Sequence, residues 1–166
     1  NAVYMWTQQT TLPYKGLPRG RSFNFLQEDI QAIKDNVPEL DVLAPSAQLG
    51  GYRGENNVSR GTKTGPFTVR GDFPENRFIQ VFTLTSGRYF KDFGRKERRR
   101  GWVIAPRVEE VLFNKAESPL GQYIQVNGTY FKVIGTITTD KGGDDAEEKM
   151  KTIYIPFTTF QQAFNW

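Results

Sequence analysis

The residue types that could do chemistry are few in this chain, and what is missing narrows the field first. There is no Cys and no His among its 166 residues. Thiol nucleophiles, Ser-His-Asp triads, disulfides and the usual zinc sites are therefore out of reach. Asp140, Asp144, Asp145, Glu147 and Glu148 gather carboxylates in one short stretch, as a calcium loop would. They lack the alternating Asp-x-Asp-x-Asp-Gly order and the closing Glu of an EF-hand, and they read as a solvated loop. Gly50-Gly51-Tyr52-Arg53-Gly54 is glycine-rich like a phosphate loop, but has no Gly-Lys-Ser/Thr ending and no helix pattern behind it. Glu109-Glu110 and Glu28-Asp29 are neighbours on helical patterns, so the two carboxylates of each pair point in different directions. They read as surface charge and, for Glu28 and Asp29, as support for a helix dipole. The expectation is a chain with no catalytic residue, no metal and no cofactor of its own.

What remains is contact chemistry. The net charge is +4 and the sequence pI about 9.3, and much of the excess sits in Arg95-Lys96-Glu97-Arg98-Arg99-Arg100. A nucleic-acid face would spread its cations over a surface interleaved with exposed aromatics; a local run of this kind reads as a solvated loop. Tyr14, Lys15 and Arg19, with Trp6 nearby, offer aromatic and cationic groups on a loop, which suits an interface as well as it suits a loop folded back over a core. The candidate partner contacts are therefore Tyr14, Lys15, Arg19, Arg98, Arg99 and Arg100.

Elements must hold these loops in place. The 16 Gly and 9 Pro predict many turns and a strand-rich chain. Val3–Thr7 reads as a first strand, and Pro13–Gly20 as a loop. Asn24 precedes a helix over 25–36, whose Leu26, Ile30, Ile33 and Val37 form one apolar stripe that Pro38 ends. A strand interrupted near Pro45 spans 41–48. Arg53 to Gly65 reads as two ribbons joined by a turn, and Phe67–Val69 as a short strand. Asp72 to Glu75 reads as a turn, and 77–82 is ambiguous between a helical turn and a strand. Trp102–Ala105 reads as a buried strand, followed by a helix with Pro106 at its first position and Val108, Val111 and Leu112 on one face. Asn127-Gly128 predicts a type I′ hairpin pairing Val126 with Thr129, Ile124 with Phe131 and Gln122 with Val133. That register buries Ile124, Val126, Phe131 and Val133 together. Residues 138–151 read as a polar loop, Ile153–Ile155 as a last strand, and 159–164 as a last helix with Thr158 as its cap. No apolar run approaches the length of a membrane span, no signal peptide is visible, and both ends read as those of a segment cut from a longer protein.

The second half carries a resemblance. Gly87-Arg88-Tyr89-Phe90, Val103-Ile104-Ala105 entering Val108 to Phe113, Pro119-Leu120-Gly121, the Asn127-Gly128 hairpin, Phe131-Lys132-Val133-Ile134-Gly135 and Ile155-Pro156-Phe157-Thr158 follow in the order found in the periplasmic core domain of MacB/FtsX-like ABC transporter permeases. Ala105 stands where that family often has Gly, and the basic run is heavier than usual. The resemblance implies an α+β fold of mixed strands with two or three short helices. It implies a porter-like α/β part (1–82 and 139–166) holding a smaller inserted β-rich part (83–138). It further implies a periplasmic domain of an inner-membrane, homodimeric permease, with ATP bound on a separate cytoplasmic domain. The expected partners are the second permease subunit and a periplasmic adaptor or outer-membrane component. An FtsX-like regulator of cell-wall hydrolases is the alternative within the superfamily, and a nucleic-acid-binding β-rich module the alternative of another class.

Overall fold

The computed structural model describes residues 3–49, 56–73, 82–88, 101–139 and 144–164. They form two compact units, 1–43 and 44–166. The first holds one helix, α1 (Gln27–Asn36). The second holds β1 (Ser46–Leu49), β2 (Val58–Arg60), β3 (Lys63–Gly65), β4 (Thr68–Asp72), β5 (Thr83–Gly87), β6 (Gly101–Ile104), α2 (Pro106–Leu112), β7 (Tyr123–Val126), β8 (Thr129–Thr138), α3 (Asp144–Met150), β9 (Thr152–Pro156) and α4 (Phe157–Phe164). The strands make one mixed sheet in the order β1-β4-β9-β6-β8-β7-β2-β3, with β5 also paired to β8. The β4–β9 and β6–β8 pairs are parallel and the rest antiparallel. The strands of 83–138 (β5, β6, β7 and β8) are neighbours within this sheet, flanked by β9 on one side and β2 on the other.

The second unit is built around strands buried on both faces. Every residue of β6 and β9 is buried, as their unbroken apolar runs require. On one face Trp102, Ile104, Ile124, Val126, Phe131, Val133, Ile153 and Ile155 pack with Val69, with Val108 and Leu112 of α2, and with Phe160 of α4. On the other, Val103, Ala105, Ile137 and Tyr154 form a smaller cluster, against which Phe82 and Ile134 lie. The hairpin has the expected register, Val126 opposite Thr129 and Ile124 opposite Phe131, with Asn127 at φ 47° and Gly128 at φ 83°. Beyond it β8 runs on to Thr138 with one extra residue. Trp102 pairs with Val133 but Val103 with Gly135, so Ile134 is a bulge. The bulge turns Ile137 to the face opposite Phe131 and Val133 although all three are odd-numbered.

Several sequence expectations need correction. Val3–Thr7 is in no strand; aromatic and β-branched residues favour a strand only where a partner edge accepts it. The helix expected over 25–36 starts at Gln27, because the Asp29 carboxylate accepts the backbone N–H of Leu26 at 2.7 Å and fixes the first turn there. The polar stretch before β9 holds a helix, α3, raising the described helices to four. Lys151 pairs with Glu147 at 3.1 Å, and the Thr152 hydroxyl donates to the carbonyl of Glu148 at 2.8 Å, closing its end. Val111 is exposed while Val108 and Leu112 are buried, since residues four apart share a helical stripe and Val111 lies to its side. The last helix begins at Phe157, directly after Pro156, which is still paired with Asp72 in the sheet. The ambiguous stretch 77–82, apart from Phe82, lies outside the described residues.

Tyr154 supplies a titration signature. Its side chain is buried beside Phe82, the rings stacked at 5.7 Å. Burial pushes the phenol up from 10.0 to about 12, with Asp72 adding to the rise and Arg70 and Thr152 opposing it. An unfolded chain would release this proton near 10.0 and the folded one near 12. Between those values the native state holds more protons, so stability falls as pH rises. The loss should reach about 2 kcal/mol by pH 12. Urea midpoints measured from pH 9 upward should decline steeply in the native chain and more gently in Tyr154→Phe; parallel declines would assign the effect to other groups.

Candidate functional site

The contact loop expected around Tyr14 is an ordered hairpin. Tyr14 and Leu17 exchange both backbone hydrogen bonds, at 3.1 and 2.9 Å. Lys15 at φ 45° and Gly16 at φ 80° make the turn, both left-handed as a type I′ turn requires. A second rung closes the base: Gly20 N–H donates to the Thr10 carbonyl at 2.7 Å and Thr10 N–H to the Arg21 carbonyl at 3.0 Å. The Thr10 hydroxyl accepts from Arg21 N–H at 3.1 Å. The Arg21 Nε donates to the carbonyl of Pro18 at 2.9 Å, fixing the return strand.

The side chains of this hairpin face outward. Leu12 is 74% exposed and Tyr14 61%, and Trp6 upstream is 70% exposed. The Lys15 ammonium lies 5.2 Å from the centroid of the Tyr14 ring, a cation–π contact that leaves both groups at the surface. Lys15 and Arg19 are exposed. The structure therefore brings Tyr14 and Lys15 together and puts Arg19 on the same loop. Arg98, Arg99 and Arg100 lie outside the described residues. The sequence reading passed over Leu12 and Leu17, the apolar members of the hairpin. Their signal was weak because Lys-Gly is a poorer type I′ pair than Asn-Gly.

The other chemical candidates stay apart. Among the described residues, no three of Asp, Glu, His or Cys come close enough to hold a metal ion. Residues 50–54, the glycine-rich stretch, lie outside the described residues. Glu110 pairs with Arg107 at 3.0 Å on the helix surface. A groove between α2 and α3 is floored by Gly65, Pro66 and Phe67, and its cations Arg107 and Lys151 are each paired along their own helix. Arg60 is structural: it stacks on Phe113 at 4.4 Å, donates to the carbonyl of Leu112 at 3.2 Å and meets Glu117 at 3.0 Å, capping the end of α2.

The mixed sheet with its short helices is an α+β fold with solved structural relatives. It is similar to the extracellular domain of the noncanonic ABC-type transporter YknZ from Gram-positive bacteria (TM-score 0.67, 21% identity, 86% of this chain and 67% of that one). It is also similar to the periplasmic region of MacB from Actinobacillus actinomycetemcomitans (TM-score 0.66, 17% identity, 89% and 63%). The chain belongs to the MacB-like periplasmic core domain family, whose model matches residues 1–166. In sequence it is 26% identical over 132 residues to the macrolide export ATP-binding/permease protein MacB of Bdellovibrio bacteriovorus, covering 80% of this chain and 19% of that protein. It is 23% identical over 131 residues to the pyoverdine export ATP-binding/permease protein PvdT of Pseudomonas entomophila, covering 79% and 19%. The chain thus spans about a fifth of the length of the curated relatives it matches. It is the periplasmic domain of a MacB-like ABC transporter permease, and among the described residues no helix is long and apolar enough to cross a membrane.

Proposed function

We propose that this domain couples ATP hydrolysis on a cytoplasmic domain to export, by changing position on the periplasmic side of the membrane, and that it catalyses nothing itself. The observation that carries this reading is the family match over residues 1–166. It is supported by the packed sheet, whose two buried faces suit a body that transmits force as a unit. The parent permease works as a homodimer, with a periplasmic adaptor or outer-membrane component as its partner. Contacts outside the domain run through the Tyr14, Lys15 and Arg19 hairpin and the run Arg98 to Arg100. Relatives named for macrolide and for pyoverdine export favour export over an FtsX-like control of cell-wall hydrolases.

The test is made in the parent permease reconstituted with its ATP-binding domains. Deleting this domain should leave basal ATP hydrolysis within about twofold and abolish export, because the binding energy of ATP then has no periplasmic element to move. Export that survives the deletion would sink the reading. Activation of a peptidoglycan hydrolase lost on the same deletion, with export unchanged, would move the domain to the FtsX-like role.

A further inference from the structure

We propose that the segment from Val3 to Phe25, with the Tyr14–Leu17 hairpin as its tip, is a docking surface for an anionic lipid bilayer. The proposal rests on the reading above only in that the domain belongs to a membrane-embedded permease and so has a bilayer within reach.

Charge is the first support. The chain contains no Asp or Glu before Glu28, while Lys15, Arg19 and Arg21 fall in that stretch. A positive patch is recognised by a negative one. A surface of one sign alone matches a uniform sheet of negative headgroups. Side-chain type is the second support. Tyr4, Trp6, Tyr14, Phe23 and Phe25 are all exposed. Trp and Tyr carry an apolar ring and a polar tip, the combination that settles at headgroup depth, and Lys and Arg reach from that depth toward phosphate. Backbone is the third. The Tyr14–Leu17 and Thr10–Arg21 bonds hold the loop closed, so its tip presents Tyr14 and Lys15 at headgroup depth, where water still reaches the amides of the turn. Leu12, Tyr14 and Leu17 then supply the apolar contact, and Lys15, held over the Tyr14 ring, the charge beside it.

The test uses the 166-residue chain with vesicles of about one-third phosphatidylglycerol in phosphatidylcholine, and with phosphatidylcholine alone. The chain should float with the anionic vesicles and not with the neutral ones, and binding should fade in molar salt. The emission of Trp6 should shift to the blue on binding, and the shift should vanish in Trp6→Phe. The double variant Lys15→Gln/Arg19→Gln should melt as the parent does and lose binding roughly 25-fold, at about fivefold for each cation. Because the whole chain is basic, Arg98→Gln/Arg99→Gln/Arg100→Gln is the necessary comparison, and it should keep the Trp6 shift. Equal binding to neutral vesicles, no binding to either, or binding lost with the Arg98 to Arg100 changes but not with the hairpin changes, would each overturn the proposal. A chain that ignores vesicles, in a permease whose export still depends on the domain, would remove the lipid contact and leave the export function standing.

Discussion

Ile124→Asp should leave the sheet unit largely unfolded. Ile124 has no exposed surface and lies on the face shared by Val126, Phe131 and Val133, beneath Val108 and Leu112 of α2. A carboxylate there would lose its water, and the hydrophobic cluster around it offers no cation. The cost is roughly 3–5 kcal/mol, the scale of an uncompensated buried charge, which is a large share of the stability of a domain this size. The neighbouring residue gives the control. Tyr130, one position from Phe131 on β8, is 65% exposed, so Tyr130→Asp should change stability by about half a kcal/mol at most. Urea unfolding of the two variants checks both the hairpin register and its buried face: equal damage from the two substitutions would contradict the register.

Phe160→Ala should cost about 3–5 kcal/mol. Phe160 is fully buried where α4 crosses the sheet, against the cluster of Val69, Ile153 and Ile155, and its ring meets Phe164 edge-on at 5.1 Å. Phe164 in turn lies 6.3 Å from Phe131, which stacks on Trp102 at 3.9 Å. Truncation therefore empties the joint between α4 and the sheet and loosens a chain of rings that reaches the centre of the core. Gly71 shows how close the joint is. A Cβ built there would sit 2.6 Å from the Cβ of Phe160, so Gly71→Ala should push α4 outward at a cost of about 1–3 kcal/mol. Phe160→Leu, which keeps most of the volume, should fall well short of Phe160→Ala in a thermal or urea melt. A Phe160→Ala chain as stable as the parent would mean that α4 is not seated on β4 and β9.

Much of this was legible beforehand, for a definite reason. The Asn127-Gly128 turn, the alternation on either side of it, and Pro106 at the head of α2 are local codes: a few adjacent residues limit φ and ψ, and the element follows. The buried run Trp102–Ala105 is legible in the same way, since a short unbroken apolar run stopped by Pro106 suits a strand covered on both faces. The α3 segment failed because its run of charge suits a solvated loop as well as a helix, although Ala146 to Met150 are good helix formers. Its polar residues are held as a helix by the Lys151 pair with Glu147 and by the hydroxyl of Thr152 on Glu148, and Thr68, 80 residues away in sequence, reaches Glu148 at 3.4 Å. Val3–Thr7 failed in the opposite sense, with the composition of a strand and no partner edge among the described residues.

The candidate site divides along the same line. Composition alone removes thiol and imidazole chemistry from this chain, which holds no Cys and no His, and leaves no acidic residue before Glu28. Residue order across the second half was enough to point to the family, since each element there is locally encoded. Only the tertiary structure decided that Tyr14 and Leu17 close a hairpin, that Lys15 lies over the Tyr14 ring, and that the extra residue Ile134 in β8 sends Ile137 to the second face beside Tyr154. Each of these depends on which backbone groups find partners across space, and the pattern of residue types along the chain does not specify those pairings.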